Sequence, residues 1–225
     1  TMREQITERI RSEVLSKQLP VGTRVREEAL AKQFGVSRAP VRDALLQLTS
    51  EGLLLAKPNC GMSVAPLPDE TIQPLVVALR RRIENFALSR LIDRLPDVDL
   101  DGHAAIVDQL EDACRAADMT RVVYCDMAFH RFIIEAAEDR QLVAMWLPIV
   151  SRMMLNYSRH KDWMESHREH AGIAAAIRAG DRKLARRLLI AGGVAIVGCI
   201  GACGSYDASF IAAANVELIG GGYIL

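Results

Sequence analysis

Aromatic side chains make up only 5% of the 225 residues, and there is no surplus of charge, 28 Lys and Arg balancing 28 Asp and Glu. The strands of β-sandwiches draw heavily on aromatic and β-branched residues, so the first shortage argues against an all-β fold. Five cysteines (Cys60, Cys114, Cys125, Cys199, Cys203) are odd in number, scattered and without a CxxC pair. That argues against a disulfide framework and reads as reduced thiols in a cytoplasmic protein. Long apolar runs are missing too. The stretch 194–203 is broken by Gly198 and Gly201 and is too short to span a bilayer, and charge begins at Arg3, so neither a membrane anchor nor a secretory leader is expected. What remains is an ordinary globular composition, 50% apolar and 25% charged, whose length suits a small domain joined to a larger one.

Net neutrality conceals an uneven distribution. Residues 1–68 carry ten Lys and Arg against seven Asp and Glu, a balance of +3, whereas residues 69–190 carry eighteen against nineteen. A solvated surface explains a surplus of this size as readily as nucleic-acid binding does, so spacing has to decide.

In the first third, Ile6, Ile10, Val14 and Leu15 recur at helical spacing over 2–17, and Leu19-Pro20-Val21-Gly22 breaks the pattern. A short helix is predicted over 26–34. Gly35 closes it, Ser37 stands where it would cap a third helix over 38–50, and Gly52 ends that one. Two helices joined by a three-residue turn make a helix-turn-helix. Val41, Ala44, Leu45 and Leu48 share the inward face of the third helix, while Arg38 and Arg42, four apart, share another near its N-terminal end. An arginine fork matches the two acceptors of guanine in the major groove, each such pair giving roughly 1 to 3 kcal/mol of discrimination. Residues 53–56 and 62–64, joined by Lys57-Pro58-Asn59-Cys60-Gly61, form a two-stranded wing whose tip can lie against phosphates or the minor groove. Two arginines alone would be read as solvated; with the cap, turn glycine, apolar face and hairpin around them they point to DNA.

Three runs carry a family resemblance: Gly22-Thr23-Arg24-Val25-Arg26-Glu27-Glu28-Ala29-Leu30-Ala31, Phe34-Gly35-Val36-Ser37-Arg38-Ala39-Pro40-Val41-Arg42-Asp43-Ala44-Leu45, and Leu48 with Glu51-Gly52-Leu53. Over about 5–66 they resemble the winged helix-turn-helix of the GntR family of bacterial transcription regulators. The resemblance implies that Arg38 and Arg42 contact bases of double-stranded operator DNA and that Gly61 lets the wing backbone approach; Ser37 and Ala39 stand beside the arginines, and Lys57 and Asn59 are placed at the wing tip by the hairpin itself. Many members have arginine where this chain has Cys60.

Beyond the connector Ala65-Pro66-Leu67-Pro68, helical patterns cover 70–94, 100–117, 120–137, 141–159, 163–179 and 181–191, with no strand-like alternation between 70 and 190. Six helices with short connections imply an antiparallel bundle. Asp126 and His130 project from one helical face, and His170 opens a later helix. A carboxylate and imidazoles converging from different helices suit a divalent transition metal, although the same spacing also occurs as an ordinary surface pair.

Asp126-x-x-Phe129-His130 and Glu169-His170-x-x-Ile173-x-x-Ala176-Ile177-x-x-Gly180-Asp181 resemble the signatures of the FCD effector domain of the FadR subfamily. Many such domains bind a metal through one Asp and three His and then hold a small carboxylate. Asp126, His130 and His170 match three ligands; Gly192 stands where the last histidine belongs. Three arrangements are open: a zinc- or nickel-type ion with three protein ligands and a free position, recruitment of His167, or a metal-free site. One carboxylate and two neutral imidazoles around a divalent ion leave a charge of +1, attractive to an anion. Arg80 heads a run similar to the family's R-x-x-L-E and is expected to clamp the effector carboxylate; Arg152, Asn156 and Tyr157 lie on a helix that would line the same cavity, with core packing or exposure as alternatives.

Residues 191–225 hold eight Gly, no Lys or Arg and two acids, a departure from the family that points to a tail shifted in reading frame or otherwise altered relative to an ancestor. The expected architecture is mainly α: a winged helix-turn-helix over 1–68, an FCD-like all-α bundle over 69–190, and an atypical glycine-rich tail over 191–225. The expected function is a cytoplasmic, homodimeric transcription regulator that senses a small organic acid, with a metal-dependent hydrolase or a ligand-free dimerisation scaffold as alternatives.

Overall fold

A computed structural model of the chain describes residues 1–57, 61–155 and 163–198. Asn59, Cys60, Asn156, Tyr157 and residues 199–225 of the tail lie outside them.

The head is built from α1 (Met2–Leu15), β1 (Arg24–Val25), α2 (Glu27–Phe34), α3 (Arg38–Ser50), β2 (Leu54–Lys57) and β3 (Gly61–Val64). Thr1 and Glu4 close a capping box on α1, and Ile6, Ile10, Val14 and Leu15 are buried against the inward face of α3, where Val41, Ala44, Leu45 and Leu48 are at most 1% exposed. Gly35 takes φ +64° at the end of α2, the left-handed turn that lets α3 start at an angle to it. Two details differ from the sequence expectation. Ser37 occupies the position before α3 in an extended conformation, but its side chain makes no capping hydrogen bond. The wing has a third strand: Arg24 and Val25 pair antiparallel with Ser63 and Met62, while Leu54 through Lys57 pair with Val64 through Gly61 on the other side. A two-residue strand has no alternation to read, so only the hairpin was visible in the sequence.

The body comprises α4 (Gln73–Asp93), α5 (Asp101–Arg115), α6 (Met119–Glu135), α7 (Arg140–Leu155), α8 (Trp163–Arg178) and α9 (Arg182–Gly198). The long α4 packs against α6, α7 and α9, and α5 packs against α6 and α8. Phe129, Ile133, Trp146, Val150, Met153 and Ile177 are buried in the centre of the bundle. Among the described residues no helix is long and apolar enough to cross a membrane. Cys114 and Cys125 are buried and form no disulfide, and burial pushes the Cys125 thiol up to about 11. The helix expected to stop at 191 continues to Gly198 through Gly192 and Gly193, since a glycine costs only about 1 kcal/mol within a helix whose backbone hydrogen bonds stay intact.

Head and body share one hydrophobic cluster, with α1 lying against α6 and α7. At this seam Gly52 holds φ +77°, and a Cβ there would stand 2.8 Å from Nε of Arg152. Gly52→Ala is therefore expected to lower stability by about 1 to 2 kcal/mol in urea unfolding. Gly102→Ala, in α5 with open space around it, should leave stability unchanged or slightly raised; equal effects at both positions would contradict the role of the backbone conformation.

Candidate functional site

The candidate residues form two groups, one on the surface of the head and one buried in the body. On the outer face of α3, Arg38 and Arg42 are 62% and 60% exposed, with Ser37 and Ala39 also at the surface. Neither arginine folds back into the protein. Both reach across to Glu27 at the start of α2: Arg38 Nε donates to Oε1 at 3.2 Å, and Arg42 donates through Nε to Oε2 and through Nη2 to Oε1, each at 3.2 Å. The hydrogen bond from Arg42 leads the effects that lower the Glu27 carboxyl below its ordinary range, with Arg38 adding to it against a small cost of burial. Exposed pairs of this kind are worth about 0.2 to 1 kcal/mol, so a nucleic acid can displace the carboxylate. Glu27 bridges two residues of the motif, yet nothing in its spacing from them announced it. At the wing, Gly61 has φ +79° and open space where a Cβ would sit, and the Lys57 backbone pairs with it.

The second group lies inside the bundle. One ligand atom from each of Asp126, His130 and His170 falls within 4.8 Å of the others, and all three residues are buried. Asp126 and His130 come from one face of α6 by their i, i+4 spacing, and His170 comes from α8. His170 Nδ1 donates to the carbonyl of Ser166 at 2.7 Å, and its Nε2 stands 3.2 Å from Asp126 Oδ2. Asp126 Oδ1, His130 Nδ1 and His170 Nε2 are buried without a hydrogen-bond partner. Burial opposes ionisation of Asp126, but His170, then His130 and Arg80, outweigh it and hold the carboxyl at about 2. Burial also opposes the charged form of His170, and Asp126 reverses that, raising it above its ordinary value. His130 ends below its ordinary value because burial outweighs Glu84.

Around this trio is a set of buried groups that the sequence reading only partly anticipated. Arg80 on α4 donates from Nε to Glu84 Oε1 at 2.7 Å, lies 2.8 Å from His130 Nε2 through Nη2, and touches the sulfur of Met153 at 3.6 Å. Trp146 donates to the same Glu84 oxygen at 2.9 Å, and Glu84 Oε2 stands 3.4 Å from His130 Nδ1. Arg80 is thus brought to the trio, but its donors engage protein groups. Glu84 and Trp146 were missed; the i, i+4 step from Arg80 to Glu84 was the available signal, whereas Trp146 arrives from another helix.

The remaining predictions separate. Arg152 is exposed and lies at Gly52 on the seam, because the neighbouring Ser151, Met153, Met154 and Leu155 take the buried face of α7. His167 is not in the group of converging ligand atoms, and Gly192 offers no donor. The donor types, one carboxylate and two imidazoles, suit a divalent ion, and since His130 Nε2 accepts from Arg80, an ion taking that nitrogen would displace the guanidinium.

Comparison with known proteins places the two halves of the chain in known families. Residues 2–64 match the model for bacterial regulatory proteins of the gntR family, and residues 76–191 match the FCD domain. The chain is 29% identical, over 84% of each protein, to the probable D-xylose utilization operon transcriptional repressor of Paenarthrobacter nicotinovorans. It is 24% identical to the gluconate operon transcriptional repressor of Bacillus subtilis, over 78% of this chain and 75% of that one. The solved structure of E. coli McbR/YncC shares the fold, with a TM-score of 0.74 at 21% identity over 88% of this chain and 96% of the other. These relatives are regulators, and the hydrolase reading finds no support among them.

His103 on α5, also missed, stacks on Phe129 and Phe132 at 4.3 and 4.6 Å between ring centres. Burial first, and then the neighbouring His130 and His170, lower its pKa from 6.5 to about 4. Between those values the unfolded chain binds a proton that the folded chain refuses. Stability should therefore decline as pH falls from 6.5 to 4, by up to about 3 kcal/mol from this residue. His103→Leu is expected to flatten the pH dependence of urea unfolding in that window; slopes identical to wild type would refute it.

Proposed function

The chain belongs to the GntR family of bacterial regulatory proteins and carries an FCD domain, so it is a DNA-binding transcription regulator, and on that premise we propose how its residues divide the work. Residues 1–68 form the operator-binding head, residues 69–190 the effector and dimerisation body, and residues 191–225 an appended segment. The regulator works in the cytoplasm as a homodimer on a palindromic site, because two-fold protein symmetry matches two half-sites. An apolar stripe on α4 supports that assembly: Leu75, Leu79 and Phe86 share one exposed face, continued by Ile72 just before the helix.

Arg38 and Arg42 read base edges, Ser37 and Ala39 flank them, and Lys57, Asn59 and Gly61 bring the wing to the backbone. The observation that carries this reading is the exposure of both guanidinium groups on a helix whose opposite face is sealed. Glu27 orients them before DNA arrives and gives way when it does. Selection of bound sequences from random duplexes tests it. Arg38→Ala and Arg42→Ala should each cost about 1 to 3 kcal/mol on the selected site, roughly 5- to 150-fold, and relax base preference. An unchanged ratio of selected to scrambled affinity would contradict the assignment.

FCD domains bind metals in some members, and here Asp126, His130 and His170 would hold a divalent transition ion such as zinc or nickel, with the fourth position left to the effector. When bound, the ion supplies positive charge for the carboxylate of a small organic acid. Arg80 holds His130 and adds a second positive centre, while Ser166 fixes the tautomer of His170. The convergence of one buried ligand atom from each of the three residues within 4.8 Å supports this reading. Titration calorimetry of chelator-stripped protein with zinc or nickel chloride should give one site per chain, weakened at least about tenfold by Asp126→Asn and by His170→Gln. Equal affinity in both variants would place the ion elsewhere.

A further inference from the structure

The helix that carries Asp126 and His130 is fastened to the head on both sides of those residues. Near its start, Gln18 donates to Thr120 at 2.7 Å, and Thr120 donates to Ser16 at the end of α1 at 3.1 Å. Near its end, Arg131, adjacent to His130, donates from Nη1 to Glu8 Oε1 at 2.9 Å. Glu8 also pairs with Arg11 one turn along α1. Arg11 in turn grips Glu51, the residue that ends α3, with Nε to Oε2 at 3.0 Å and Nη2 to Oε1 at 2.7 Å. Gln47 of α3 donates to the same carboxylate at 3.0 Å. The links differ in stiffness. Arg11 and Glu51 are 2% and 3% exposed and bound as a fork, whereas Arg131 and Glu8 are about a third exposed, at 37% and 30%.

We propose that the chain Arg131–Glu8–Arg11–Glu51 is the joint through which a displacement of α6 reaches the recognition helix. The buried fork locks α1 and α3 into one moving part, since breaking a desolvated pair leaves uncompensated charge in the interior. The half-exposed Arg131–Glu8 contact is the sliding element, because its partners remain in water and solvent can replace either one. Asp126 and His130 lie between the two fastening points, so a change in their spacing pulls on both. That a ligand produces such a change rests on the reading proposed above; the joint itself does not.

Amide hydrogen exchange on the full chain tests the joint without metal or operator. Arg131→Gln, a surface change that touches no residue of α3, should raise exchange of amides at 45–51 several-fold while leaving α5 as in wild type. Glu135→Ala, which removes only the bond that Arg131 makes within α6, should leave 45–51 unchanged. Glu8→Gln should reproduce the effect of Arg131→Gln, and raised salt should move wild type toward it. Wild-type exchange at 45–51 in both Arg131→Gln and Glu8→Gln would overturn the proposal. So would an equal rise throughout α5, the signature of general loosening.

Discussion

A small volume at the centre of the bundle holds two carboxylates, a guanidinium and two imidazoles away from water, and much of the body is arranged to make that tolerable. Isolated charges in such a place would cost several kcal/mol each, so every one needs a partner at hydrogen-bond distance. Glu84 finds Arg80 and Trp146, and Asp126 finds His170, whose far nitrogen is in turn fixed by the Ser166 carbonyl. Four helices have to meet at one depth for these contacts to form, which sets the register of α4, α6, α7 and α8 against each other. At the same depth Asp126, His130 and His170 bring one ligand atom each within 4.8 Å of one another.

The head obeys the opposite requirement. Its recognition helix must seal one face and leave the other wet, and Arg38 and Arg42 stay in solvent because Val41, Ala44, Leu45 and Leu48 claim the buried side. Glu27 answers their charge without burying it, a weak bond that suits a surface meant to exchange partners. Between these extremes runs the seam, where a fully desolvated ion pair and a half-exposed one stand in series.

Legibility followed sequence distance. Pairs one helical turn apart, such as Asp126 with His130 or Arg38 with Arg42, could be placed on a common face from spacing alone. The turn glycines were legible because positive φ leaves few alternatives, and Gly35, Gly52 and Gly61 all adopt it. Contacts between distant segments were not. Nothing along the chain ties Glu27 to Arg38, Trp146 to Glu84 or His103 to Phe129, and cavity lining, core packing and exposure all stayed open for Arg152 because a helical period gives relative orientation and not the side that faces the core.

By itself, then, the sequence determined the element types, the two-part organisation, the sealed and exposed faces of the recognition helix and the three donors suited to a metal. These depend on local periodicity and on side-chain chemistry, which the chain carries in its order. The tertiary structure decided which donors are already engaged, where Arg80 and Arg152 go, and how α6 is fastened to the head. Those outcomes depend on how much charge each packing leaves dry, a quantity that exists only once the helices have met.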